Sequence, residues 1–391
     1  MIKTQLLPLT LLSLFLLFTN TTLAQNPSFL NSGKNYTFDS RIMGEERTII
    51  VHVPDSYEKN TNSYPVLYLT DAKAHMTHTI GTVDYFSKFR LMPEMIVVGI
   101  VHTNRNRELT PTPINKKDEG VLEGADRLLT FLQEEVKPMI HKKYRTLPYS
   151  VFSGTSYGGL FGIHAFLKKP EMFDAIIAIS PSLYWDNKII LKEANTLFKK
   201  GKAKGNLYLT IANEQPVMTT PFYDFIAILK DNPTNEVGWS AKTFETETHN
   251  TTVLIGQYYA FKELFKAWNI PEGVPQNLTQ LLHHYDAMSK QLRHEVLLPE
   301  DRANGYGNWL LYLNRLDEAT ELFKWNTVNY PASSNAFYKL GQAEEKARRF
   351  MEAKNNYEIA LRLSEKHKPS TSQDISMNLN RVLQIINNTS K

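Results

Sequence analysis

The chain of 391 residues contains no cysteine. This absence excludes disulfide bonds, thiolate metal sites, a cysteine nucleophile and the lipidated cysteine of a bacterial lipoprotein. An excess of one charge is also lacking, since 44 lysine and arginine residues face 40 acidic residues and the formal net charge is only +4. No long basic run occurs either, and we therefore expect no nucleic-acid partner.

Long apolar runs are lacking everywhere except at the N-terminus, MIKTQLLPLTLLSLFLLFTNTTLAQ. A lysine, an apolar core and small residues at Thr22 and Ala24 are typical of a secretory signal peptide, 1–24, with cleavage after Ala24. The alternative is an uncleaved anchor, but the apolar run is shorter than the roughly 20 residues that a membrane span needs. We expect a periplasmic or secreted protein with no membrane span after cleavage.

Eight short runs rich in β-branched and aromatic residues alternate with helical patterns between residues 35 and 270. The runs are NYTFDS, RTIIVHVP, YPVLYLTD, EMIVVGIVHT, YSVFSG, AIIAIS, LYLTIAN and AKTFETE. Several of the later runs are almost entirely apolar, as strands buried on both faces are. The alternation predicts a mostly parallel eight-stranded α/β sheet with helices on both faces, in a domain of residues 25–271. Its active site is expected at the carboxyl ends of the strands.

After residue 271 the sequence has only helical patterns. We interpret residues 272–298 as a helical connector and residues 299–391 as an all-α tetratricopeptide-like domain. Similar residues recur there 34 positions apart: Gly307 and Gly341, Ala319 and Ala353, Phe323 and Tyr357. This is the tetratricopeptide spacing, in which a small residue lets two helices approach. Two repeats cover little of their own apolar surface, so we expect docking on the α/β domain or another chain, and a groove suited to a protein or peptide partner.

One serine lies between two glycines, because SVFSGTSYGGLFG fits G-x-S-x-G at Gly154, Ser156 and Gly158. A strand-like run precedes it and a helical pattern follows. In such an elbow the nucleophile occupies a strained turn, and the next N–H, here that of Tyr157, faces the developing oxyanion. The turn follows the fifth strand candidate, which predicts the α/β-hydrolase fold with Ser156 as nucleophile. A glycine-rich turn without chemical importance is the alternative.

In α/β hydrolases the acid and then the histidine follow the serine along the chain. His249 comes after the last strand candidate and is the expected general base. Glu214 comes after the seventh and is the expected acid, with Asp224 as its rival. The second oxyanion N–H is expected after the third strand, at Lys73 or, failing that, Ala72.

His75 and His78 have a spacing that metal sites use. No carboxylate or further histidine nearby completes a ligand set. We expect no metal and no cofactor.

Three stretches resemble the Putative esterase family, the esterase D or enterobactin-esterase-like α/β hydrolases. YPVLYLTDA resembles its Y-P-V-L-Y-L-L-D-G, NRNRELTPT its N-x-R-x-R-D-L-T-P-T, and SVFSGTSYGGLFGIHAFLKKPEMFDAIIAISPSLYWDN its elbow segment. The resemblance covers about residues 35–268. It implies the same catalytic set: Ser156, His249, Glu214, and N–H donors at Tyr157 and Lys73.

The resemblance implies a serine carboxylic-ester hydrolase acting on a small-molecule ester, and the signal-peptide pattern implies that it is secreted or periplasmic. Siderophore esterases of enterobactin, salmochelin or bacillibactin are common in this branch, and relatives cleave feruloyl, acetyl or S-formylglutathione esters. Some members carry C-terminal tetratricopeptide repeats. The alternatives are acyl transfer, a feruloyl or acetyl esterase of carbohydrate, and an inactive scaffold whose repeats bind a protein.

Arg107 and Trp185, within the matching stretches, are assigned to substrate binding. Arg107 has an alternative structural role in its own motif. Positive charge at Arg105, Arg107, Lys73 and Lys116 would favour an anionic siderophore, or these are ordinary surface charges.

Two positions depart from the family pattern. Thr155 replaces the histidine of G-H-S-x-G-G, and Ala72 replaces the glycine after the aspartate of the third strand. A β-carbon at residue 72 is expected to narrow the oxyanion loop. Neither change is expected to abolish activity.

Overall fold

The computed structural model describes residues 33–113, 124–201, 203–271, 273, 276–367 and 372–389. The expected signal peptide, 1–24, and Lys116 lie outside these residues. The strands are β1 Lys34–Ser40, β2 Glu45–His52, β3 Tyr64–Leu69, β4 Ile96–Val101, β5 Thr146–Thr155, β6 Ala175–Ile179, β7 Gly205–Ala212 and β8 Val237–Phe244. Each overlaps one of the eight runs predicted from the sequence, and β8 begins at Val237, four residues before the run AKTFETE.

Helices connect the strands of this domain. They are α1 Ala72–Lys88, α2 Arg105–Leu109, α3 Gly124–Phe131, α4 Lys137–Lys143, α5 Tyr157–Lys168, α6 Trp185–Lys199, α7 Pro216–Asp231 and α8 Thr252–Leu264. A π-helical turn, Leu132–Val136, joins α3 to α4, and a 3₁₀ turn, Lys266–Trp268, follows α8.

The eight strands form one sheet in the order β1-β2-β4-β3-β5-β6-β7-β8. β1 and β2 pair antiparallel, and β2 pairs antiparallel with β4. The six strands β3 to β8 run parallel to one another. The predicted α/β-hydrolase fold with a mostly parallel sheet is confirmed. In this order β6 lies between β5 and β7, so the residues that follow these three strands meet at one edge.

Apolar side chains cover both faces of the sheet because neighbouring strand residues point to opposite sides. Phe152 of β5 packs in the cluster that contains Phe161 of α5. Val151, its neighbour, packs in the opposite cluster with Phe261 of α8. The central strands therefore read as continuous apolar runs, and helices on both sides bury them.

The described residues after 273 contain helices and no strand. The helices are α9 Leu278–Leu292, α10 Glu300–Tyr312, α11 Leu316–Asn329, α12 Ser334–Lys346, α13 Phe350–His367 and α14 Ser372–Thr389. The expected all-helical C-terminal region is confirmed. No helix among the described residues combines the length and apolar character of a membrane span.

The 34-residue recurrence marks the same contact made twice. A β-carbon at Gly307 would lie 2.4 Å from the ring of Phe323, and one at Gly341 would lie 2.6 Å from the ring of Tyr357. Each glycine lets the first helix of a pair approach the aromatic ring on the second. The tetratricopeptide name and the boundaries of this domain stay predictions.

Polar contacts join the helical region to the α/β domain. Arg293, which follows α9, pairs with Asp174 at 2.6 Å. Gln291 Nε2 donates to the carbonyl oxygen of Leu264 at 2.8 Å. Arg90 pairs with Asp301 of α10 at 2.7 Å. The short array of two repeats was expected to dock on the α/β domain or on another chain, and these contacts correspond to the first arrangement.

A buried ion pair holds α2 against β2. Arg47 and Glu108 have side-chain exposures of 0%, and the two guanidinium-to-carboxylate distances are 2.8 and 2.7 Å. His102 Nδ1 lies 2.6 Å from the same carboxylate. Burial by itself would raise the pKa of Glu108, but the hydrogen bonds from Arg47 and His102 outweigh it and lower the pKa to about 2. The carboxylate therefore stays ionised and fixes the loop after β4.

We predict that Glu108→Gln lowers the free energy of unfolding by about 3 kcal/mol, because Arg47 stays charged and buried. Glu45, 3.0 Å away, is the carboxylate that still pairs with it. Urea titration measures the loss. Since the folded pKa of Glu108, about 2, lies below the ordinary 4.5, its contribution is complete above pH 4.5 and disappears as the pH falls towards 2. The parent should lose stability across this range more steeply than the variant.

The matched control is Asp301→Asn, which removes an exposed ion pair with Arg90. It should cost at most about 1 kcal/mol. Equal losses in the two variants would contradict a special role for the buried pair.

Candidate active site

Ser156 occupies a strained turn between β5 and α5, with φ 58° and ψ −116°. Its N–H donates to the carbonyl oxygen of Ile179 at 3.0 Å. A β-carbon at Gly154 would lie 2.4 Å from the carbonyl oxygen of Gly158, and one at Gly158 would lie 2.3 Å from Thr70 Oγ1. Both glycines are needed for close approach, and the turn presents Ser156 at the carboxyl edge of the sheet.

Glu214 and His249 lie at the same edge, after β7 and β8. His249 Nδ1 is 2.9 Å from Glu214 Oε2. The other carboxylate oxygen accepts hydrogen bonds from Ser180 Oγ at 2.5 Å and from the N–H of Ala212 at 3.3 Å. The Glu214 side chain is 5% exposed and that of His249 is 38% exposed. The carboxylate is therefore held firmly on the protein side, and the imidazole extends from it towards solvent.

The environment of Glu214 keeps its carboxylate ionised. Burial alone would raise the pKa of Glu214, but the hydrogen bonds with His249 and Ser180 outweigh burial and lower the pKa below its ordinary value. Asp224, the rival acid, lies on α7 and pairs instead with Lys188 at 2.7 Å. Of the two candidate acids, the structure places Glu214 against His249.

The hydroxyl of Ser156 has a neighbour that the sequence did not suggest. Ser182 Oγ lies 3.2 Å from Ser156 Oγ. Within the described part of the chain no hydrogen bond joins Ser156 Oγ to His249. Catalytic hydrogen bonds are often long or poorly aligned before substrate binds, so the lack of this hydrogen bond does not exclude His249 as the base. Ser180 and Ser182 directly follow β6. Because the sixth strand run lies in the sequence between the runs that lead to Ser156 and Glu214, this position could have indicated both serines as neighbours of the site.

The loop after β3 supplies backbone N–H groups at the same edge. Asp71 has φ 56° and precedes α1, and its carbonyl oxygen accepts from the N–H groups of Ala74 and His75 at 2.9 and 3.1 Å. The N–H groups of Ala72 and Lys73 precede the internal hydrogen-bond ladder of the helix. The N–H of Tyr157, the first residue of α5, likewise precedes the internal hydrogen-bond ladder of its helix.

The two departures from the family pattern are both buried. Ala72 is 1% exposed, and a β-carbon at Gly99 of β4 would lie 2.6 Å from its methyl group. The methyl group therefore packs over the sheet, whereas the sequence suggested that it narrows the oxyanion loop. Thr155 is 8% exposed, and its hydroxyl has no hydrogen-bond partner among the described residues.

Arg105 links the loop after β3 to the elbow. Its guanidinium donates to both carboxylate oxygens of Asp71 at 2.6 and 3.0 Å and to the carbonyl oxygen of Thr155 at 3.3 Å. It also lies 5.5 Å from the ring centroid of Tyr157. Its charge is compensated, so Arg105 holds the site together and is not a free cation for an anionic substrate.

The two predicted substrate-binding side chains lie in different settings. Arg107 donates to Glu45 of β2 at 2.7 Å. Trp185 lies edge-on to Tyr157, the residue after the elbow serine, with ring centroids 5.4 Å apart, and its indole N–H donates to Thr112 at 2.9 Å. Trp185 is thus a neighbour of the elbow, while Arg107 is part of an ion pair. Their roles towards substrate stay predictions.

His75 and His78 contact each other, with 3.1 Å between Nδ1 and Nε2. Burial lowers the pKa of both, that of His78 to about 4, where the nearby His75 adds to the effect. The described residues contain no group of three or more histidine and acidic side chains arranged to hold a metal ion.

The geometry can be set beside known proteins. Residues 40–219 match the family model described as Putative esterase. The resemblance predicted from the sequence is confirmed. The match to the family model covers the sheet from β2 to the loop that carries Glu214.

A curated siderophore triacetylfusarinine C esterase of Aspergillus fumigatus is 30% identical over 185 residues, which cover 44% of this chain and 63% of that protein. A crystal structure of an IroE-like serine hydrolase from Shewanella oneidensis is 26% identical, with a TM-score of 0.65, over 74% of this chain and 98% of that one. The chain therefore spans less than two thirds of the length of this fungal relative.

An uncharacterised protein from Capnocytophaga ochracea extends the likeness into the helical region. Its crystal structure covers 90% of this chain and 99% of its own, with a TM-score of 0.71 and 18% identity. At this identity the likeness shows the fold alone. The combination of an α/β-hydrolase sheet with C-terminal helices is therefore shared.

Proposed function

We propose that this chain is a serine carboxylic-ester hydrolase. The observation that carries the proposal is the 2.9 Å contact between His249 Nδ1 and the Glu214 carboxylate, at the sheet edge where Ser156 occupies its strained turn. A buried acid, a partly exposed imidazole and a serine on an elbow are the components of acyl transfer. The match to esterases supplies the reaction class.

The ionised Glu214 accepts the Nδ1–H of His249, which leaves Nε2 free to act as a base. Ser156 Oγ attacks the ester carbonyl carbon while Nε2 takes its proton. The N–H groups of Tyr157 and Lys73 stabilise the oxyanion. His249 then returns the proton to the leaving alcohol, and the acyl group stays on Ser156. Water, deprotonated by His249, attacks the acyl-enzyme and releases the acid.

We predict that Ser156→Ala lowers kcat/KM for p-nitrophenyl acetate by about 10³-fold or more, because no acyl-enzyme forms. Glu214→Gln should lower kcat by about 10²-fold or more, since the imidazolium loses its counter-charge and orientation. Initial rates on the purified variants give both values.

Asp224→Asn is the matched control, because it neutralises the carboxylate that pairs with Lys188. It should leave kcat within about twofold of the parent. An inactive scaffold whose repeats bind a protein predicts a different result: Ser156→Ala would match the parent. An equal loss of kcat in the Glu214 and Asp224 variants would contradict the assignment of Glu214 as the catalytic acid partner of His249.

We further propose a siderophore ester as the substrate. Support comes from the siderophore esterase of Aspergillus fumigatus, the relative that this chain matches over 185 residues. Ring-shaped siderophore triesters, feruloylated sugars and short acyl esters should be compared at equal concentration, with products separated by liquid chromatography. The triester is expected to have the highest kcat/KM. A higher value for feruloylated or acetylated sugar would favour the carbohydrate esterase instead, and acyl products with added alcohols would indicate transfer.

Export is proposed from the N-terminal pattern of residues 1–24. A chain recovered from the periplasm or medium should begin at Gln25, as N-terminal sequencing can establish. Retention of Met1 on the exported chain would contradict cleavage after Ala24.

A further inference from the structure

The turn after β6 contacts both ends of the proposed catalytic system. β6 lies between the strand that leads to Ser156 and the strand that leads to Glu214. On one side, the N–H of Ser182 donates to the carbonyl oxygen of Ser156 at 3.1 Å. On the other side, the N–H of Ser180 donates to the carbonyl oxygen of Thr210 in β7 at 2.7 Å. The parallel register therefore holds this turn between nucleophile and acid.

The turn is rigid and strained. Ser180 has φ 42°, a left-handed value that non-glycine residues seldom adopt. A β-carbon at Gly159 of α5 would lie 3.1 Å from Pro181, so the turn packs closely on the first turn of that helix. Ser180 and Ser182 are 0% and 1% exposed. Backbone strain of this kind persists where the surrounding structure holds it, often at functional sites.

The two hydroxyl groups reach different partners. Ser180 Oγ donates to Glu214 Oε1 at 2.5 Å, which leaves the other carboxylate oxygen for His249. Ser182 Oγ lies 3.2 Å from Ser156 Oγ, and one hydroxyl of this pair is the donor. When the Ser156 O–H is directed at His249, its oxygen must accept from Ser182. As the proton leaves, negative charge grows on that oxygen and the hydrogen bond from Ser182 strengthens.

We propose that Ser182 and Ser180 are positioning residues for ester hydrolysis: Ser182 orients the nucleophilic hydroxyl of Ser156, and Ser180 orients the Glu214 carboxylate. The proposal rests on the serine mechanism given above. Neither hydroxyl is assigned to substrate. One turn thus sets the orientation of both the first and the last group in the proton path.

Ser182→Ala tests the first role. It should lower kcat by about tenfold with KM unchanged, because the lost hydrogen bond matters most as charge develops. Labelling of Ser156 by a fluorophosphonate should slow by a similar factor. Ser364→Ala is the matched control: Ser364 is a buried serine of α13, 1% exposed, that donates to Leu361. It should leave both rates unchanged.

Ser180→Ala tests the second role through the pH profile of kcat/KM. Without this donor the Glu214 carboxylate is less compensated, so the Glu214–His249 pair binds its proton more tightly. The acidic limb should move to higher pH. Ser182→Ala should leave the position of that limb unchanged, which separates the two roles from a general loss of structure.

The outcomes separate this inference from the proposed function. If Ser156→Ala is inactive but Ser182→Ala has the parent's kcat at the parent's melting temperature, the positioning role is wrong and the serine mechanism stands. If Ser156→Ala stays active, both are wrong. Should Ser182→Ala fail to fold, Ser182→Cys retains the side-chain size with a weaker donor. A kcat below the parent's at unchanged melting temperature supports the role, and the parent's kcat overturns it.

Discussion

The parallel register of β5, β6 and β7 is the constraint on which the site depends. Thr155 pairs with Ile179 and Ile179 pairs with Thr210, so the chain leaves all three strands at one level. Ser156, the turn after β6 and the loop with Glu214 follow directly. Side chains that are distant in sequence thereby come within hydrogen-bonding reach, with the apolar layers on both faces resisting any slip of register.

Support for this edge comes from ion pairs beneath and beside it. Glu108, paired with Arg47, accepts hydrogen bonds from the N–H groups of Thr103 and Asn104 and so fixes the start of α2. The first residue of α2, Arg105, holds Asp71 in the loop after β3. A buried pair costs desolvation free energy that Coulomb attraction alone seldom recovers. The Arg47–Glu108 pair contributes through geometry: it fixes α2, and α2 places the Arg105 guanidinium between the loop after β3 and the elbow.

Sequence patterns predicted the parts of the structure that depend on local order. All eight strands, the helical C-terminal region and the elbow turn follow from apolar periodicity and glycine spacing. Side-chain pairing was harder to foresee. From the residues, only its place directly after the seventh strand run favoured Glu214 over Asp224, and Arg105 was considered as a free charge. The hydroxyl pair of Ser156 and Ser182 depends on the register of neighbouring strands, which no local pattern encodes.

The assembled site has a rigid part and an adjustable part. The turn after β6 and the Glu214 side chain are buried, and the turn bonds to the half-buried Ser156. The side chain of His249, in contrast, is 38% exposed on a loop. That loop is anchored where the N–H of Asn213 donates to the carbonyl oxygen of Glu247 at 3.1 Å, beside Glu214. Because the acid and its loop are fixed together, small movement of the imidazole preserves its contact with Glu214. In the proposed mechanism, Ser156 therefore rests against Ser182 until substrate binding brings it into contact with His249.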